Sequence, residues 1–181
     1  MQYRAEDLIQ IFKQLFRTQY NTELVSGSTE PLYRVKRRTD LYHQIIFAHG
    51  FFSSALHEIA HWCVAGPERR QQDDYGYWYA PDGRNQVQQT EFFQAERKPQ
   101  ALEWIFSTAA GYRFQFSADN LGAEIDGLPD FKLAVQQQVH DYLVDGLPLR
   151  ANRFVLALCK KYGNHFPRAE QFPLGEELLH G

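Results

Sequence analysis

The sequence predicts an α+β fold, with a small β-sheet packed against several helices in a single compact domain spanning residues 1–181. Three observations predict it. Several segments repeat apolar residues at helical spacing, a few short runs are rich in β-branched and aromatic residues, and no repeat, low-complexity tract or linker divides the chain. A chain of 181 residues is also long enough to enclose one core.

Taken in order, Asp7 to Phe16 carries Leu8, Ile9, Phe12, Leu15 and Phe16 on one stripe and predicts a core-facing helix. Glu23–Val25 and Leu32–Val35 read as short strands, separated by the turn-forming segment Ser26 to Pro31. Tyr42–Ala48 reads as a third, buried strand. After Gly50, a helix begins within Phe51 to Leu56 with a serine as N-cap, and ends at Gly66 with Pro67 just beyond. Glu68 to Asn85 is a polar, aromatic loop in which Tyr75–Ala80 can form an edge strand before a turn at Pro81-Asp82-Gly83. Pro99 is placed to open a helix over Gln100–Ala110, which Gly111 ends. A loop follows at Asp119–Gly122. Pro129 opens the next helix, reaching Leu143, and Leu149–Tyr162 forms the last, stopped by Gly163. The tail from Gln171 is short and partly polar.

Composition sets limits on function. Hydrophobic residues make up 44% and charged residues 23%, as in ordinary soluble proteins, and the net charge of −3 offers no basic field for nucleic acid. No apolar run is long enough to cross a bilayer, and the N-terminus lacks a signal-peptide core, so the expected location is the cytoplasm. Cys63 and Cys159 form no C-x-x-C pair and are expected as free thiols buried in helices.

The chemistry is concentrated in His57-Glu58-Ile59-Ala60-His61, which reads H-E-x-x-H. Two imidazoles four residues apart share one helix face, where both can hold one metal ion while the intervening Glu58 handles protons. Cys63 lies two residues beyond His61 and points off that face. A catalytic site needs a third ligand, and the extended zinc-protease pattern with its later glycine and histidine is not met. The candidates are Glu91, Glu96, Glu103, Asp73, Asp74 and Asp82; Glu96 is preferred as the carboxylate beside the expected helix start, with Glu103 as its competitor. Two histidines and a carboxylate match both the facial triad of non-haem Fe(II) oxygenases and a hydrolytic Zn(II) site.

Several blocks together resemble the bacterial elongation factor P hydroxylase family. They are Phe47-Ala48-His49-Gly50-Phe51, the metal pentapeptide with Trp62, Tyr75 to Arg84, Lys98 to Trp104, Ala109 to Tyr112, Asp119-Asn120-Leu121 and Gln171-Phe172-Pro173. The resemblance covers nearly the whole chain. It implies hydroxylation, with Fe(II) and O2, of a lysine of elongation factor P that already carries a β-lysyl group, as the last step of that modification. By position it implies His57 and His61 as the histidine ligands. A cationic substrate calls for carboxylates or aromatic faces, with Asp73, Asp74, Asp82 and Asp119 as candidates and Trp62, Tyr75, Tyr77, Trp78 and Tyr79 as an apolar wall. Arg69, Arg70, Arg84, Arg97 and Lys98 are candidates for docking the protein substrate. The competing readings are a zinc-dependent peptidase with Glu58 as general base on a metal-bound water, and a metal-stabilised adaptor without activity.

Overall fold

The computed structural model describes residues 2–27, 29–77, 85–117 and 127–173. The chain opens with a helical rod made of α1 (Ala5–Phe12), a π-helical turn (Lys13–Arg17) and α2 (Thr18–Tyr20). Leu8, Phe12 and Phe16 lie along its inner stripe and are fully buried. The rod starts earlier and runs later than the apolar stripe alone suggests. Asn21, in the left-handed conformation, ends it and turns the chain directly into the sheet.

Three strands follow: β1 (Thr22–Ser26), β2 (Leu32–Arg34) and β3 (His43–Phe47). The sheet order is β1-β3-β2, with β1 parallel and β2 antiparallel to β3. Leu24 and Tyr33 both register on Ile45, so the middle of the sheet presents one continuous buried surface. Helix α3 (Phe52–Val64) packs between this sheet and the long helix α4 (Gln86–Ala110). Helices α5 (Leu128–Asp145) and α6 (Leu149–Tyr162) also pack on α4, and α6 reaches α1 and α3 as well. The expected α+β architecture is therefore what the chain adopts.

Local expectations differ in instructive ways. No serine caps α3: its N-cap is Phe51, and Ser54 Oγ instead accepts from the Ala48 N–H at 3.0 Å, stapling the end of β3 to the helix. The helix ends at Val64, because Ala65 adopts extended backbone before Gly66 is reached. Helix α4 does not begin at Pro99. Asn85 and Gln88 form a capping box that starts it far upstream, and Pro99 sits buried within it. Proline in a helix interior forfeits one backbone bond and costs about 3 kcal/mol. Here the cap, together with buried Phe92 before the proline and Leu102, Ile105 and Phe106 after it, outweighs that cost.

Residues 69–77 form no edge strand. They make two 3-10 turns, Arg69–Gln71 and Asp73–Gly76, the second fastened to β2. Trp78, Tyr79, the turn at Pro81-Asp82-Gly83, Arg84, Asp119 and its loop, and the chain after Pro173 lie outside the described residues. No helix among the described residues is long and apolar enough to cross a membrane.

Candidate metal centre

The site forms where α3 crosses α4. His57 and His61, one turn apart on α3, turn their Nε2 atoms to within 3.1 Å of each other. Glu96 reaches in from α4, with Oε1 3.1 Å from His61 Nε2 and Oε2 3.6 Å from His57 Nε2. One ligand atom from each of the three residues can be chosen so that all lie within 4.8 Å of one another. Metal–ligand bonds of about 2.1 Å separate neighbouring donors by about 3.0 Å at right angles and about 3.4 Å at tetrahedral angles. Two of the observed spacings, both 3.1 Å, fall in that range and the third, 3.6 Å, lies just beyond it, so the donor set suits a divalent cation of either geometry after a small side-chain adjustment. Iron and zinc are not distinguished by it.

Electrostatics agree with a cation between these groups. Burial works against the charge on Glu96, but His61 and His57 outweigh it and hold its carboxyl down at about 2. The low-dielectric surroundings also oppose a charged His57, yet Glu103, Glu96 and Glu58 raise its pKa well above the usual 6.5. Without a metal, a proton held by His57 thus stands where a cation would provide the positive charge beside ionised Glu96.

Glu103 lies on the other side of His57 from Glu96. Its Oε2 accepts from Nδ1–H at 2.8 Å, so that in the neutral, metal-binding ring Nε2 is the unprotonated, outward nitrogen. Glu103 is therefore an orienting partner in this geometry and not a third ligand. Gln100 does the comparable service for Glu96: its Nε2 lies 3.4 Å from Glu96 Oε2 and donates to the Ser117 carbonyl at 2.7 Å, while its Oε1 accepts from the Ser117 N–H. Glu96, Gln100 and Glu103 recur at helical spacing on one face of α4. That pattern was available in the sequence once the helix was traced back to Asn85. Glu91 is exposed and outside the cluster.

Glu58 is buried, and burial pushes its carboxyl pKa up despite the pull of His57 and His61. Cys63 is likewise buried, on the α3 face away from the cluster, and burial pushes its thiol up to about 12. Trp62 is part of the core, packed edge-on or tilted against Phe12, Phe16 and Tyr20, and forms no wall of the site.

A cavity of about 500 Å³ opens beside His61. Its lining runs from Val64 to Arg69 after α3, through Tyr75 and Tyr77, to Gln94, Ala95, Lys98 and Pro99 on α4. Asp73 and Asp74 are not in it. Asp73 Oδ1 accepts from the Val35 N–H and Asp74 Oδ1 from the Tyr33 N–H, so both carboxylates serve the turn. Of the docking candidates, Arg69 and Arg70 are engaged internally, whereas Arg97 and Lys98 are exposed on α4. Arg69 donates to the Tyr75 carbonyl and lies over the Tyr77 ring, and Arg70 donates to the Ala65 carbonyl.

Sequence reasoning passed over Arg150. Its Nη2 lies 3.0, 3.1 and 2.6 Å from the carbonyls of Trp62, Cys63 and Ala65, so that a guanidinium from α6 caps the C-terminal end of the histidine-bearing helix. An arginine in a first helical turn carries no such signal in sequence.

A family model described as elongation factor P hydroxylase matches residues 11–172. A protein of Haemophilus influenzae (strain ATCC 51907 / DSM 11121 / KW20 / Rd) named elongation factor P lysine hydroxylase is 52% identical over 162 residues, covering 90% of this chain and 91% of its own length.

Proposed function

Because the chain belongs to the elongation factor P hydroxylase family, we propose that it hydroxylates a lysine side chain of elongation factor P with a divalent cation held by His57, His61 and Glu96. The observation that carries this reading is the convergence of those three ligand groups from α3 and α4. In its finer form, the cation is Fe(II), the oxygen comes from O2, the lysine already bears a β-lysyl group, the reaction is the last step of that modification, and it takes place in the cytoplasm. Residues 1–181 act as one hydroxylase-like metal-binding domain.

When bound, the cation supplies the redox chemistry that brings O2 to an aliphatic C–H bond. The chain's own residues do the rest. Glu103 keeps His57 in the tautomer whose Nε2 lone pair faces the ligand cluster. Gln100 restrains Glu96 against rotation. Glu58, buried beside the ring pair with a raised pKa, holds or releases a proton next to the reacting centre. The cavity beside His61 has the volume for a long unbranched side chain, and Glu68 on its lining offers a carboxylate to an ammonium group.

The test is intact-mass analysis of β-lysylated elongation factor P after incubation with the protein, Fe(II), a reductant and air. The expected result is a gain of one oxygen atom, absent with His61→Ala. Zinc retained on anaerobic purification, together with peptide cleavage and no oxygen gain, would overturn the reading in favour of a hydrolase.

A further inference from the structure

A histidine that binds a metal usually has its remote ring nitrogen tied by a hydrogen bond, which fixes the plane of the ring. His57 has this tie in Glu103. His61 does not: its polar contacts among the described residues run through Nε2, to His57 and to Glu96. Its ring instead lies almost parallel to that of Tyr75, with 9° between the planes and 6.5 Å between centroids. Tyr75 is itself stacked on Tyr33 at 4.4 Å and 14°.

We propose that Tyr75 is a positioning residue whose ring, backed by Tyr33, sets the plane of His61 and aims Nε2 at the cation. This deepens the metal-centre reading above and rests on it. Two further observations support it. The backbone carries consecutive non-glycine residues in the left-handed region, Asp74 at φ 47° and Tyr75 at φ 58°, a conformation that a bulky side chain rarely adopts without compensation. Four hydrogen bonds supply the compensation: the Tyr33 and Val35 amides donate to Asp74 and Asp73, Arg69 donates to the Tyr75 carbonyl, and the Tyr33 hydroxyl donates to the Arg70 carbonyl. The turn is thus fastened to β2 so that one aromatic ring stays beside His61. The Tyr75 hydroxyl, buried and without a hydrogen-bond partner among the described residues, takes no part. The positioning element is the ring.

The experiment compares Tyr75→Phe with Tyr75→Leu. In metal-free protein, the ring-proton resonances of His61 report the neighbouring aromatic ring directly. In the loaded protein, Co(II) titration by visible absorption reports affinity and ligand geometry. The Phe variant should keep the ring-current displacement of His61 and bind Co(II) within about twofold of wild type, whereas Leu should lose the displacement and bind on the order of tenfold more weakly. A Leu variant that matches wild type, or a Phe variant as weak as Leu, overturns the proposal. Should the Leu chain fail to fold, Asp74→Ala provides the second arm. It releases the turn while leaving the ring, so the His61 resonances should move and Co(II) affinity should fall, with Asp74→Asn restoring both; no change in either overturns the proposal. A wild-type protein that binds no Co(II), or a His61→Ala variant that binds equally well, removes the metal reading and this inference together. Equal binding by wild type and Leu, with His61→Ala weak, removes this inference alone.

Discussion

Glu96 and Glu103 have the same side chain on the same helix face, and their roles part on a single contact. Glu96 faces the two Nε2 atoms, while Glu103 faces His57 from behind. Glu103→Ala should therefore weaken metal binding by about 10- to 100-fold without removing a ligand, and Glu103→Gln should do so less, since an amide oxygen still accepts from Nδ1–H; Co(II) or Fe(II) titration measures both. Glu58→Gln should separate differently, leaving metal affinity nearly intact while turnover falls by about 10²- to 10⁴-fold, as expected for loss of a proton-handling group. The pentapeptide made the convergence of the two histidines legible in sequence, because residues four apart share one face of a helix. The choice between two glutamates was not legible, because it depends on how α4 is rotated against α3.

The same site sets a pH dependence. A cation binds only neutral imidazole, and the metal-free His57 keeps its proton well above 6.5. Below that raised value, apparent metal affinity should climb about tenfold per pH unit and then level off. Metal-free stability should follow the opposite slope. Charged His57 contributes fully below 6.5, and its contribution is lost as pH rises through the raised value; protonated Glu58 contributes fully below its ordinary 4.5, and that is lost as pH rises through its own raised value. Ionised Glu96 contributes above its ordinary 4.5, and that is lost as pH falls towards about 2. From these groups the metal-free protein should be most stable near pH 4.5, with stability declining above it first through Glu58 and then through His57, which a series of thermal melts would check.

Among the elements, α3 is held at both ends by groups outside itself. Ser54 ties its start to β3, and Arg150 from α6 collects the carbonyls at its finish. Arg150→Met should lower stability by about 1.5–3 kcal/mol, the usual worth of hydrogen bonds to a charged donor, and should weaken metal binding as well, since His61 lies in the last turn. Urea unfolding and metal titration of the same variant test the two parts. The helices were readable in outline because stripe and punctuation coincide, as at Gly163. They were misread where two rules compete. Pro99 carries a strong start signal, whereas the true start at Asn85 is a weaker local pattern, stabilised by packing that sequence spacing does not contain.

For the whole molecule, the candidate metal site lies at the crossing of α3 and α4 and so bridges two packed elements. A cation at a concentration of a hundred times its Kd should stabilise the fold by about 2.7 kcal/mol. In a chain of this size that amounts to roughly 5–10 °C in thermal midpoint. The gain should vanish with a chelator and be absent in His61→Ala, as differential scanning calorimetry can show. Class and core were legible because composition and periodicity report burial. The cavity was not, since its lining comes from three separated stretches of chain. One last property follows from the placement of Cys63. The attackable form of sulfur is its anion, and here a sealed thiol stays protonated to about pH 12 only two positions from a ligand histidine. Cys63 therefore presents no thiolate to a cation at the neighbouring imidazoles, and α3 delivers two nitrogen donors to the cluster without a competing sulfur.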